Sequence, residues 1–418
     1  MKHESQVLQQ VRVIDPIQQT DRTADVWLRG DKIQGIEAHL ESIPDETTVI
    51  DGQGLIFAPG LVDLYSYSGE PGYEERETFQ TLGASAIAGG FSQVAILPNM
   101  QPSLDNPSTL TLIQQKLACL DPKQSPQFHF WGNLTLDGKG EQLTELAELA
   151  ETKIIGFTDA KPLRQEGLLQ RALEYLQPLN KPVALFPVNL ILRGNGVMRE
   201  GNASIRFGLP GDPVMSESSA IASILEMVSA TQTAVHLMRI STARGVELIA
   251  EAKSRNLPIT ASVSWMHLLL NTEKVGSYNP NFHLNPPLGN ESDRLALIQG
   301  IKTGIIDAIA VDHRAYTYEE KTLAFAESPP GSIGLELALP CLWQNLVETG
   351  ELTALELWQA LSINPLKCLG LAQTHEDYLL FDPTAYWTVD GSSLKTLGRN
   401  TPWLGESIEG KVTRMFRG

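Results

Sequence analysis

The stretch AVHLMRISTARGVELIAEAKSRNLPITASV, residues 234–263, decides the fold. Ala234 to Ile240 is a mostly apolar run, Ala243 to Ser254 repeats apolar residues at helical spacing, and Pro258 to Val263 is a second apolar run. Strand, helix, strand within one short stretch is the unit of a parallel sheet, because two parallel neighbours need a crossover long enough to hold a helix. The same texture extends outward in both directions. Further apolar runs lie at Ile56 to Leu64, Gln93 to Leu97, Phe128 to Leu134, Lys153 to Phe157, Pro182 to Phe186 and Ile306 to Val311, which makes eight. Helical periodicity fills the gaps at Glu74 to Ile87, Glu141 to Glu151, Glu166 to Leu176, Ser216 to Ala230 and Asp293 to Thr303, and Ile333 to Leu361 reads as two more helices. Eight strands with their helices predict an α/β protein built on a (β/α)8 TIM barrel.

Both ends of the chain depart from that texture. Short β-type runs at Val11 to Ile14, Asp25 to Leu28, Lys32 to Ile36 and Thr48 to Ile50 predict an antiparallel module, and Tyr378 to Arg417 returns to the same pattern. The expected organisation is a barrel over residues 55–366 and a small β-subdomain made from residues 1–54 and 367–418 together.

The 418 residues carry 32 basic and 49 acidic side chains, a formal charge of −17. That excess repels phosphate backbones and anionic headgroups, and no Lys/Arg cluster interrupts it, so neither nucleic acid nor a membrane surface is an expected partner. The N-terminal MKHESQVLQQ has no apolar stretch behind its basic residues, and no long uncharged apolar run follows elsewhere. Cys119, Cys341 and Cys368 are too scattered for a disulfide framework and form no C-x-x-C pair, which fits a reducing cytoplasm.

In such a barrel, reactive groups project from the C-terminal ends of the strands. Those ends read Asp63-Leu64-Tyr65-Ser66-Tyr67, Leu97-Pro98-Asn99, Phe157-Thr158-Asp159, Phe186-Pro187-Val188-Asn189, Arg239-Ile240-Ser241-Thr242 and Asp312-His313-Arg314-Ala315-Tyr316. The eight histidines, His3, His39, His129, His236, His267, His283, His313 and His375, form no His-x-His or His-x-x-x-His pair. His236 and Arg239 differ in strand parity, so His236 is expected to face away from the mouth if Arg239 faces into it. The segment Leu192 to Gly201 contains a Gly-x-Gly but does not follow a strand and open a helix as a phosphate-binding turn would, so it reads as a mobile loop.

Taken in order, Ala58-Pro59-Gly60-Leu61-Val62-Asp63, Glu70-Pro71-Gly72, Ala88-Gly89-Gly90-Phe91, Leu97-Pro98-Asn99, Ile240-Ser241-Thr242-Ala243-Arg244, His267-Leu268-Leu269-Leu270, Asn285-Pro286-Pro287-Leu288, Asp312-His313 and Asn400-Thr401-Pro402 resemble the dihydroorotases of the amidohydrolase superfamily. The resemblance runs nearly end to end. It implies a metal-dependent hydrolase barrel that interconverts carbamoyl aspartate and dihydroorotate, with zinc as cofactor. Family members hold that zinc with a His-x-His pair on strand one, histidines on strands five and six, and a bridging carboxylate or modified lysine on strand four.

By that correspondence the metal positions hold Tyr65, Tyr67, Phe186 and Arg239, and the arginine that grips the substrate carboxylate corresponds to Gly69. Asp159 remains at the bridging position as a vestigial ligand, Asp312 at the general-base position and Asn99 at a substrate contact; Arg239 is a further candidate for binding a substrate carboxylate. Zinc needs about three or four N, S or O ligands at ~2.0–2.3 Å, which phenylalanine, neutral phenols and a fixed cation do not supply. The orphaned acids need a counter-charge, so Arg239 is expected to pair with Asp159 or Asp312. The sequence therefore predicts a dihydroorotase-like pseudoenzyme of pyrimidine biosynthesis with no cofactor. The resemblance supplies a structural or regulatory role beside aspartate transcarbamoylase, in a homo- or hetero-oligomer. Two alternatives stay open: an active cyclic amidohydrolase with a rearranged zinc site, and a binder of a small carboxylate.

Overall fold

Gly60 marks the passage from one sheet to another. In the computed structural model, which describes residues 5–41, 47–373 and 376–417, strands β1 (Ser5–Asp15), β2 (Thr20–Arg29), β3 (Lys32–Glu37), β4 (Thr47–Asp51) and β5 (Ile56–Pro59) precede it in a small sheet. After it come β6 (Leu61–Ser66), β7 (Phe91–Ile96), β8 (Gln127–Gly132), β9 (Gly156–Phe157) and β10 (Val183–Leu185). A two-stranded ribbon, β11 (Met198–Arg199) and β12 (Gly211–Asp212), interrupts before β13 (Val235–Leu237), β14 (Ile259–Ser264) and β15 (Ala308–Ala310). The chain returns to the small sheet through β16 (Tyr378–Thr388) and β17 (Ser407–Phe416).

The run Ile56 to Leu64 is thus not one barrel strand, and the small sheet keeps residues that the expected boundary at 54/55 gave to the barrel. Pro59 ends β5, and a Cβ at Gly60 would collide with the Ser92 side chain, so only glycine lets the chain turn there against β7. The small sheet runs β17-β16-β5-β1-β2-β3, with β4 also on β1. It is mixed rather than antiparallel throughout, because β4 and β5 both lie parallel to β1, on successive halves of its length. Phe57 stacks on Tyr378 at 5.1 Å and lies 5.5 Å from Phe416, so strands from both chain ends close one core. Fully burying rings such as Phe57 and Phe416 contributes roughly 1.5–3 kcal/mol each.

Eight parallel strands in the order β6-β7-β8-β9-β10-β13-β14-β15 make the nearly closed barrel. Several are shorter than the apolar runs that announce them. Gly156 shows one reason: a Cβ there would collide with the Trp131 ring and the Pro182 carbonyl, and Trp131, fully buried, is the largest side chain of the interior cluster. The helices Glu166–Leu176 and Ala243–Ser254 match their predicted limits, and each buries its apolar face against the sheet.

The seam between the first and last strands is closed beyond the ladder. Tyr67 N–H donates to the His313 carbonyl at 2.8 Å, and Val311 N–H donates to Asp63 Oδ1 at 2.7 Å. Asp63 Oδ2 accepts from Ser66 Oγ at 2.5 Å. Burial pushes the Asp63 carboxyl up to about 7, with the charge of Asp312 adding to the effect.

The Leu192 to Gly201 segment is not the free loop expected. Arg199 is fully buried and anchors the ribbon, donating to Ser241 Oγ at 2.7 Å and to the Asp212 carbonyl at 3.2 Å. All three cysteines are free thiols. No helix among the described residues is long and apolar enough to cross a membrane. Residues 1–4 and His375 lie outside the described residues, and with them His3 and the start of the N-terminal segment read above.

Asp63→Ala strips the Val311 N–H of its acceptor in a dry interior, so chemical denaturation should show a loss of about 1–3 kcal/mol, while Asp63→Asn, which keeps an acceptor, loses less.

Candidate functional site

Arg239 and Asp312 meet at the C-terminal mouth of the barrel. The guanidinium is bidentate: Nε donates to Asp312 Oδ2 at 2.7 Å and Nη2 to Oδ1 at 2.6 Å. Arg239 is 3% exposed. Burial opposes its charge, yet the adjoining Asp312 raises its pKa above the ordinary arginine value. Both partners have left-handed backbones, with φ of 56° at Arg239 and 54° at Asp312. A non-glycine residue in that region carries strain of about 1–3 kcal/mol, held only where the surroundings overdetermine it.

His236 stays away from the mouth, as expected: it does not border the cavity that Arg239 and Asp312 line, and borders instead a separate cleft with Pro182, Thr260 and Cys368. His236 Nδ1 is 2.8 Å from Thr260 Oγ1 and Nε2 is 2.8 Å from Ser262 Oγ. Burial lowers its pKa to about 3, so the ring is neutral.

The aromatic residues surround the guanidinium. Its carbon lies 5.2 Å from the Tyr65 ring centre, 5.8 Å from Tyr67 and 5.1 Å from Phe186. Tyr65 Oη accepts from the Arg239 backbone N–H at 3.1 Å and shares a hydrogen bond with Ser262 Oγ at 2.9 Å. Tyr67 Oη accepts from Arg239 Nη2 at 3.3 Å. Burial, followed by the Asp312 charge, raises the Tyr65 pKa and keeps the phenol protonated. The four residues at the positions that the resemblance gives to zinc ligands therefore form one cation–π cluster.

Of the two acids expected near Arg239, only Asp312 is its partner. Asp159 accepts on Oδ1 from the backbone N–H groups of Leu134 and Thr135 at 2.9 and 3.0 Å, and on Oδ2 from Thr135 Oγ1 at 2.6 Å. Its carboxylate fastens the turn after β8, and the group that reaches Arg239 Nη1 is the Ala160 carbonyl, at 3.4 Å. This corrects its placement as a bridging metal ligand. Asn99 Nδ2 donates to the Asp159 carbonyl at 3.0 Å, while its buried Oδ1 has no partner. Asp312 and His313 diverge: His313 Nδ1 accepts from Gly334 N–H at 3.2 Å, so Nε2 carries the proton and faces Glu77 at 3.4 Å, away from Arg239. At Gly69 a Cβ would collide with the Tyr73 and Glu77 carbonyls, so no side chain fits where the resemblance places a carboxylate-gripping arginine.

The donor set at this mouth does not fit zinc. The resemblance implies four histidines and a bridging carboxylate or modified lysine, whereas the mouth presents a guanidinium, a phenyl ring, two phenols and one carboxylate already bidentate to the guanidinium. Among the described residues no three His, Cys, Asp or Glu side chains converge as a metal cluster. The remaining cavity holds about 30 Å³, bordered by Tyr67, Arg239, Ser264, His267, Asn285 and Arg314. A larger cleft of about 640 Å³ opens on the other side of Phe186, and neither Arg239 nor Asp312 lines it. Sequence reasoning passed over Asp63 and Arg314. Both stood in the strand ends already quoted, and the signal for Arg314 is a second arginine entering a mouth whose nearby acid, Asp312, is already paired with Arg239.

Comparison with known proteins places this geometry in context. Residues 54–245 match the family model described as dihydro-orotase-like. A probable dihydroorotase-like protein of Synechocystis sp. is 52% identical over 98% of this chain and 99% of its own. A dihydroorotase of Syntrophus aciditrophicus is 34% identical over 96% of this chain and 95% of its own. Among solved structures, the L-hydantoinase (dihydropyrimidinase) from Arthrobacter aurescens superposes with a TM-score of 0.83 at 19% identity, covering 97% of this chain and 93% of that one, a likeness of fold.

The neutral His236 sets a pH dependence. Its native pKa lies below the value near 6.5 of an unfolded histidine, so the unfolded chain binds the extra proton and stability is lost as pH falls from about 6.5 toward 3. Urea denaturation across that range should show a shallower decline for His236→Gln than for the parent chain.

Proposed function

The chain belongs to the dihydroorotase family of amidohydrolases, and from that premise we propose that it is a member without dihydroorotase activity, serving pyrimidine biosynthesis as a structural or regulatory partner of aspartate transcarbamoylase. One observation carries the reading: the Arg239–Asp312 pair, enclosed by Tyr65, Tyr67 and Phe186, stands where the family's chemistry calls for a dication and an activated water. Asp312, at the general-base position, has both carboxylate oxygens engaged by the Arg239 guanidinium rather than turned to an attacking water. The closed position at Gly69 removes the family's means of gripping the substrate carboxylate.

A partner role draws support from the surface. Large apolar side chains stand in the open at Ile191, 91% exposed, Ile205, 81%, and Met215, 57%, all from the chain between β10 and β13. The identity of the partner rests on resemblance. The free thiols suit a reducing cytoplasm.

The test is dihydroorotate turnover by the purified chain, with added zinc and with chelator, alongside size-exclusion chromatography with aspartate transcarbamoylase from the same organism. The expected outcome is no turnover above an empty-host control in either condition, and co-elution of the two proteins. Turnover that follows this chain and vanishes in Asp312→Ala would overturn the inactive reading. If the enzyme neither co-elutes nor changes in activity or stability, the partner half fails.

A further inference from the structure

We propose that the barrel mouth binds bicarbonate, with Arg314 holding two of its oxygens and His267 Nδ1 accepting its hydroxyl proton. The inference rests on the reading above, since it needs a mouth that has exchanged turnover for binding.

Arg314 follows Asp312 and His313 at the end of β15. Its guanidinium carbon lies 4.2 Å from the Tyr67 ring centre and 5.1 Å from the Tyr316 ring centre. The backbone N–H donates to the Ser332 carbonyl and the backbone carbonyl accepts from Asn400 Nδ2, but among the described residues no carboxylate pairs with the guanidinium and no acceptor takes its N–H groups. The nearby acids are spent: Asp312 on Arg239, and Glu320 on Arg76, which itself stacks on Tyr316. The charged groups lining the cavity are then Arg239, Arg314 and Asp312, a net single positive charge. A partly buried cation without a counter-charge is costly, and a monoanion removes that cost.

Size and hydrogen-bonding capacity select the anion. About 30 Å³ is room for a few water-sized spheres, each needing roughly 10–15 Å³, so the dihydroorotate ring is excluded and a planar ion of about four heavy atoms is accommodated. An arginine fork matches the two oxygens of a carboxylate-type group. His267 supplies the opposite need. It is 3% exposed, and its Nε2 lies 3.2 and 3.3 Å from the carbonyls of Pro286 and Pro287, so Nε2 carries the proton and donates. Nδ1 is left as a buried acceptor with no partner on the same cavity. Burial lowers the His267 pKa to about 4, so this acceptor persists at neutral pH. Bicarbonate offers two acceptor oxygens and one O–H donor. Formate and nitrate offer acceptors only, and chloride offers no fork at all.

The cover of the site is itself tied down. Lys321 Nζ donates to the carbonyls of Pro280 at 2.8 Å, Pro329 at 2.9 Å and Gly331 at 3.2 Å, and Tyr316 Oη donates to the Pro330 carbonyl at 3.1 Å. The site is thus held in shape before an anion arrives, which limits the ordering cost of binding.

Isothermal titration and thermal unfolding of the full chain would be run with sodium bicarbonate, formate, nitrate and chloride at matched ionic strength and pH. The expected result is saturable binding and a rise in melting temperature that is largest for bicarbonate, smaller for formate and nitrate, and absent for chloride. Arg314→Gln should weaken bicarbonate binding by at least about tenfold, and His267→Phe should bring bicarbonate down to the level of formate. Equal shifts from all four salts, no saturable heat with bicarbonate, or undiminished binding in Arg314→Gln would each overturn the proposal. If Arg314→Gln fails to fold, the ranking of the four salts on the parent chain still decides. Failure here leaves the turnover result untouched, so the two readings fall separately.

Discussion

A guanidinium buried in a barrel mouth has to be paid for by a partner of opposite charge, and Asp312 is that partner for Arg239. Removing two charges from water costs several kcal/mol per ion, recovered only when the geometry is close and the remaining hydrogen-bonding groups are satisfied. Both conditions hold here, through two short hydrogen bonds, a phenol on Nη2 and a backbone carbonyl on Nη1. Both residues also sit in left-handed backbone conformations, so the pair holds two strained turns in place. Tyr65 joins the arrangement twice, by its ring against the guanidinium and by its hydroxyl to the Arg239 backbone.

Other features of the mouth follow from that pairing. Because Asp312 is committed, Arg314 two residues later has no acid of its own, and the cavity keeps an excess positive charge. Because the negative charge of Asp312 lies near Asp63, the seam acid is pushed further toward its neutral form. Asp63 then fastens Val311 from below while the Tyr67 to His313 bond fastens the same seam from above. The pair ties the ends of β13 and β15, which have only β14 between them, to a common point at the mouth.

Much of the architecture was legible in the sequence because buried parallel strands read as apolar runs and surface helices read at a period of 3.6. The helix Ala243–Ser254 was placed to the residue. The first strand was misread because Ile56–Pro59 and Leu61–Ser66 are both apolar, and nothing in hydrophobicity says that they belong to different sheets; only the steric demand at Gly60 does. At the site, charge arithmetic narrowed the Arg239 partner to Asp159 or Asp312, and the fold selects Asp312. Asp159 was assigned a direction from correspondence, and side-chain direction near a strand end depends on backbone dihedrals such as that of the left-handed Ala160 beside it, which composition does not encode. Arg314 was quoted and passed over because its significance is the absence of a partner, a property of the folded arrangement.

The most direct test of the account is a double-mutant cycle on the central pair, reading unfolding free energy for Arg239→Met, Asp312→Asn and the two combined. If the pair holds the mouth, each single change leaves a buried partner uncompensated and costs about 3–5 kcal/mol, while the combined change costs clearly less than their sum. Single changes that cost little, or that add to within about 0.5 kcal/mol, would show that the two side chains do not depend on each other and would contradict it.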